Sequence, residues 1–98
     1  MERDEGDRRM EIKYSKDAVR FLHKLPKKSV ARIRTAIQGL TNIPPVGDIK
    51  PIKGRGEGRL RLRVSAWRVI YRYGLDGEIE ILDVLDIGNR GDIYKKWG

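Results

Sequence analysis

A chain of 98 residues carrying 22 Lys and Arg against 14 Asp and Glu, a formal charge of +8, has the length of one domain and is strongly basic. It has no cysteine and one histidine, His23, which excludes disulfides, thiolate chemistry, His-pair catalysis and most single-chain zinc sites. No apolar run approaches the roughly 20 residues that cross a bilayer, and no signal-peptide core follows Met1, so a soluble, cytoplasmic domain without a membrane partner is expected.

Residues 1–9 carry no apolar side chain beyond Met1 and are expected to form a disordered leader to a single domain over 10–98. Met10 to Tyr14 alternates apolar and polar residues, as a short strand does. Ser15 has the chemistry of an N-cap, and Ala18, Leu22 and Leu25 fall on one face of the helix that follows, with Phe21 beside them. Pro26 ends that helix and opens a second one to about Leu40. Val30, Ile33, Ile37 and Leu40 form its apolar stripe, and Lys27, Lys28, Arg32 and Arg34 lie off it. A loop over 42–47 contains Pro44 and Pro45. An edge strand near Ile49–Lys53 opens a glycine-rich, basic stretch ending at Gly58.

From Arg59 the period becomes two. Leu60, Leu62 and Val64 alternate with Arg59, Arg61 and Arg63, and after Ser65-Ala66 the residues Trp67, Val69, Tyr71 and Tyr73 alternate with Arg68, Ile70 and Arg72. Asp76-Gly77 signals a hairpin turn. Glu78 to Ile87 reads as a third strand, ended by Gly88, and Gly91 to Trp97 as one or two helical turns. The fold class is α+β, in the order β-α-α-β-β-β: a small, mostly antiparallel sheet with a helical hairpin on one face and the other face partly open.

The charge is segregated along this order. Between Ala18 and Gly56 one acid, Asp48, stands against nine bases, and between Lys53 and Arg72 one acid, Glu57, stands against seven; Asp76 to Asp92 reverses the sign, with six acids and Arg90. Such asymmetry points to a polyanionic partner, nucleic acid first and an acidic protein second. The apolar positions of the middle strands belong to the core, so the arginines occupy the face opposite the helices. A buried guanidinium row without partners is costly, so these side chains are expected to face solvent or a ligand. Each can grip a phosphate through two parallel hydrogen bonds.

The stretch from Arg59 to Tyr73, Arg-Leu-Arg-Leu-Arg-Val-Ser-Ala-Trp-Arg-Val-Ile-Tyr-Arg-Tyr, resembles the signature strand pair of the RelE toxins, within the RelE/ParE superfamily of toxin–antitoxin systems. The segment from Leu85 to Lys95 resembles that family's Gly-x-Arg-x-Asp-x-Tyr element, and Leu25-Pro26 agrees with its helical hairpin. The resemblance covers most of residues 10–97. It implies a ribosome-dependent mRNA endonuclease in which the ribose 2′-OH attacks the adjacent phosphate, leaving a 2′,3′-cyclic phosphate and a 5′-OH without metal or cofactor. It also implies an acidic RelB-like antitoxin, the ribosome, and mRNA in its A site as partners.

By motif position, the resemblance gives Arg61, Arg68, Arg90 and Tyr94 as the catalytic set and Lys53, Arg55, Arg59, Arg63 and Arg72 as RNA-binding residues. Arg68 and Arg90 would clamp the scissile phosphate, and Arg61 would do the same or stabilise the leaving oxygen. Tyr94 is the candidate general base in a site without histidine. Arg59 and Arg61 stand where well-known relatives carry lysines, and Asn89 stands where many carry histidine. Arginine stays protonated and is a poor proton donor, so the acid and base assignments remain open.

His23 is expected on the surface of the first helix. Asp83 and Asp86, three apart on a strand, are expected on opposite faces, which argues against a shared metal ion. Trp67 and Trp97 are candidates for base stacking, with core packing the competing reading for Trp67. Two other functions stay open: a ParE-like toxin that poisons DNA gyrase, and a nucleic-acid-binding module without catalysis.

Overall fold

The computed structural model describes residues 10–54 and 58–97, so the expected leader 1–9 and Arg55 lie outside the described residues. Alternation of Met10, Ile12 and Tyr14 with polar neighbours produces β1 (Met10–Tyr14). Ser15 then caps α1 (Lys16–His23), its Oγ accepting from the backbone N–H of Ala18 at 3.1 Å. Pro26 caps α2 (Lys27–Gln38), which tightens into a 3₁₀ turn over Gly39–Thr41. Ala18 and Leu22 on α1, and Ile33 and Ile37 on α2, are buried. His23 is exposed.

Four further strands follow: β2 (Asp48–Pro51), β3 (Leu60–Val64), β4 (Trp67–Asp76) and β5 (Ile79–Asn89). They form one five-stranded sheet in the order β1-β5-β4-β3-β2, antiparallel except for β1, which runs parallel to β5. A final helix, α3 (Arg90–Trp97), starts where β5 ends. The α+β reading and the helical hairpin on one face are therefore observed. The observed order adds two elements to the expected one: the edge strand β2 counts as a full member of the sheet, and α3 completes two turns.

The main core fills the space between the sheet and the helical hairpin. Leu62, Val64, Val69, Tyr71, Leu82, Val84 and Ile87 meet Ala18, Leu22, Ile33, Ile37 and Leu40, with Trp67 packed against the edge of the cluster. The hydroxyl of Tyr73 donates to the carbonyl of Leu40 at 2.9 Å, tying the sheet to the end of α2. On the opposite face Ile70, Ile81 and Ile93 are buried outside this cluster. That face is less open than the sequence suggested, because Ile93 brings α3 down onto it.

Two strand features depart from simple alternation. Ile70 pairs with Asp86 but Tyr71 pairs with Val84, so Leu85 is an extra residue in β5, a β-bulge. Ser15 holds this bulge: its backbone N–H donates to Val84 at 2.9 Å and its hydroxyl to Leu85 at 2.7 Å. The extra residue flips the parity of β5. Asp83 pairs with Arg72 and Asp86 with Ile70, so both carboxylates lie on the face away from the helical hairpin, not on opposite faces as a regular strand requires. Gly88, expected to end the strand, instead pairs with Arg68 inside it. A Cβ there would lie 3.2 Å from two Ile93 side-chain carbons, so the glycine is what lets α3 approach so closely.

The hairpin β4–β5 closes through Gly77-Glu78, with Gly77 at φ 66, the left-handed first position that a type II′ turn needs. The hairpin β3–β4 closes through Ser65-Ala66, and there Ser65 itself is left-handed at φ 57. Among the described residues no helix is long and apolar enough to cross a membrane.

Candidate active site

Strand pairing places the basic residues of β3 and β4 together. Arg61 stands opposite Ile70 and Arg63 opposite Arg68, all on the face away from the helical hairpin. Lys50 of β2 lies beside Arg61 in the next register pair. Like charges facing each other across strands repel, and the structure shows what offsets that. Asp48 on β2 pairs with Arg61 at 3.5 Å and with Arg63 at 3.8 Å. Arg61 also donates to the Asp48 carbonyl at 3.3 Å, and its side chain is 12 % exposed.

Arg68 departs furthest from the solvent-facing row the alternation suggested. It is 6 % exposed, and its Nη1 donates at 3.0 Å to the carbonyls of Ser65 and Trp67. The guanidinium thus folds under the β3–β4 turn, where Nη1 finds two backbone acceptors while Nε is buried without one. The same turn receives α3: the N–H of Arg90 donates to the carbonyl of Ala66 at 3.3 Å.

The first turns of α3 carry Tyr94 back over this place. The Arg90 guanidinium carbon lies 5.3 Å from the centroid of the Tyr94 ring, a cation–π contact between residues four apart on a helix. Interaction with the guanidiniums of Arg90 first and Arg68 second favours the phenolate and holds the Tyr94 pKa below the ordinary tyrosine value. Tyr94 is nevertheless accessible, at 46 % exposure. Arg61 and Tyr94 line a common cavity of about 270 Å³ with Lys50, Lys53, Ile70 and Trp97. Arg59 stacks over the Trp97 ring at 5.5 Å. Arg61 and Arg68 from the strands and Arg90 and Tyr94 from α3 therefore lie together on one face, with Lys53, Arg59 and Arg63 at its border.

Arg72 does not join them. It lies toward the far end of β4, paired with Asp83 at 3.7 Å, and lines a different depression with Lys13 and Asp76. Asp83 and Asp86 share a face but have separate cationic partners, Arg72 and Lys96. Among the described residues no group of three or more His, Cys, Asp or Glu is placed to hold a metal ion.

Three residues of this region have no role in the site as read from the sequence. Lys50 enters through the β2–β3 register, which composition does not reveal. Asp48 bridges the two arginines, and its signal is its isolation among bases. Asp86 is a carboxylate in a strand between Leu85 and Ile87, and such an apolar setting is the mark of a buried acid.

The profile of the family described as "ParE toxin of type II toxin-antitoxin system, parDE" matches residues 12–94. The chain belongs to this toxin family. Toxin RelG of Mycobacterium tuberculosis is 28 % identical over 85 residues, covering 87 % of this chain and 95 % of its relative. The archaeal RelE–RelB complex from Pyrococcus horikoshii contains a chain that superposes with a TM-score of 0.64 at 25 % identity, over 85 % of this toxin and 97 % of that chain. A YoeB/ParE toxin from Agrobacterium tumefaciens shares the fold, with a TM-score of 0.68 at 20 % identity over 83 % and 99 % of the two chains. The protein is a RelE/ParE-superfamily toxin of a type II toxin–antitoxin system.

Proposed function

We propose that this toxin acts in the cytoplasm as a metal-independent endoribonuclease that cuts mRNA in the ribosomal A site. The observation that carries the reading is the Tyr94 phenol, its ring stacked against Arg90 and lining the same cavity as Arg61. In the reaction the ribose 2′-oxygen bonds to phosphorus as the bond to the 5′-oxygen breaks, giving a 2′,3′-cyclic phosphate and a 5′-oxygen that takes a proton from water to become the 5′-OH. Tyr94, its ionisation favoured by two cations, takes the 2′-OH proton. Arg68 and Arg90 neutralise the charge that builds on the non-bridging oxygens, and Arg61 supports that charge or the departing 5′-oxygen. Lys53, Arg59 and Arg63 receive flanking phosphates, with Lys50 added to the group. Arg72 has no part in the reaction.

The antitoxin in this reading is an acidic, RelB-like chain covering the basic face. The RelB partner of the archaeal relative and the +8 charge of this toxin support it. A second reading, poisoning of DNA gyrase, is favoured by the family profile that matches the chain. Mapping transcript ends after adding the toxin to translating ribosomes, alongside a gyrase cleavage assay, separates the two. Position-specific mRNA cuts that disappear in Tyr94→Phe support the nuclease. Gyrase-dependent DNA breaks with intact mRNA overturn it, and neither product leaves a binding module.

A further inference from the structure

We infer that Asp86 is a positioning residue of this site: its buried carboxylate latches α3 to the sheet and thereby fixes Tyr94 beside Arg68 and Arg90. The inference rests on the reading of Tyr94 as the reacting phenol. Asp86 is 5 % exposed, one of two buried charged residues found among the described ones, and the proposed chemistry does not use it. Its two oxygens have separate duties. Oδ1 accepts from the N–H of Ile87 at 2.9 Å, which fixes the carboxylate on β5. Oδ2 accepts from Trp97 Nε1 at 2.9 Å and pairs with Lys96 Nζ at 3.0 Å. Both side-chain donors come from the last turn of α3. Lys96 also reaches Asp17 Oδ2 at 3.2 Å, so the same ammonium ties the helix end to α1.

The latch works beside the other ties of α3, among them Arg59 over the Trp97 ring and Lys96 to Asp17. A helix of eight residues is not stable alone in water. Ile93 is its one fully buried side chain, packed on Gly88. Tyr94 itself is largely exposed and cannot anchor the helix it belongs to. The first turn is held at Ala66 and the last turn at Asp86, and Tyr94 lies between the two ties. With the second tie cut, the helix frays from its end and the phenol leaves the guanidiniums.

The test uses the full chain in two variants. Asp86→Ala removes the acceptor, and Trp97→Phe keeps an aromatic ring while removing the indole N–H, so the second decides if the first fails to fold. Ionisation of Tyr94 is followed by ultraviolet difference absorbance, with Tyr94→Phe as the subtraction. In the native toxin the phenol ionises below the ordinary value of about 10. In both variants its midpoint returns toward that value while thermal unfolding stays cooperative. Leu82→Ala, which cuts the core beneath the other sheet face, leaves the midpoint in place, a result that general loosening does not give. On ribosome-bound mRNA, kcat falls by about tenfold or more with KM changed less than about threefold. An unmoved Tyr94 midpoint in the folded variants overturns the latch, whatever the activity. A shifted midpoint in a toxin whose native form leaves mRNA intact supports the latch and overturns the nuclease reading.

Discussion

Arg68→Ala separates what the structure says from what alternation alone suggested. As a solvent-facing ligand, Arg68 is removable at no cost to the fold; as observed, it is buried beneath the β3–β4 turn with two carbonyl acceptors at 3.0 Å. Losing those bonds costs about 1 kcal/mol, since water can replace the guanidinium at the exposed Ser65. The buried methylene stem adds roughly 2 kcal/mol. A loss of about 3 kcal/mol in a domain of this size lowers Tm by roughly 12–24 °C. Tyr94→Phe, which trims an accessible phenol, stays within about 0.5 kcal/mol of the native toxin. On the nuclease reading, both variants are expected to lose cleavage of ribosome-bound mRNA, Tyr94→Phe by about 10²–10⁴-fold and Arg68→Ala by at least about 10²-fold. Chemical denaturation of the three proteins in parallel, at a temperature where all are folded, gives the comparison. An Arg68→Ala protein as stable as the native one refutes the turn-holding role, and one that still cleaves refutes its place in the site.

The pH profile of cleavage tests the phenol. Because Arg90 first and Arg68 second lower the Tyr94 pKa, the reactive phenolate grows as pH rises, so the rate climbs and levels off at a midpoint below about 10. Arg90→Ala moves that midpoint upward, which rate measurements across alkaline buffers detect. Ser15→Ala removes both the cap of α1 and the tie to Leu85, and urea titration is expected to show a loss of about 1–2 kcal/mol. Ser65→Gly relieves a left-handed residue and raises stability by about 0.5–1 kcal/mol in the same assay.

Elements whose period is unbroken were legible from the residues. The stripe Ile33, Ile37, Leu40 and the alternation Leu60, Leu62, Val64 put those side chains in the core, where they are found. The strong cap at Ser15 and the break at Pro26 placed both helix starts within a residue. What failed was parity in β5, because a bulge adds one residue without changing residue types. Asp83 and Asp86 were assigned to opposite faces for that reason alone. Burial of Arg68 was also hidden, since its acceptors are backbone carbonyls that any sequence supplies. The gathering of Arg90 and Tyr94 with the strand arginines depended on α3 folding back at Ala66, a long-range contact to which no local pattern points.

The parallel pairing of β1 with β5 sets an order on the birth of this molecule. Tyr14 finds its partner in Val84, and Ser15 reaches Leu85 across 70 positions of chain. During translation β1 waits for β5 to emerge, and β2, β3 and β4 must find their places meanwhile. A polypeptide interrupted before β5 has neither a completed sheet nor α3. The sheet that carries the site can therefore close only once β5 has been made.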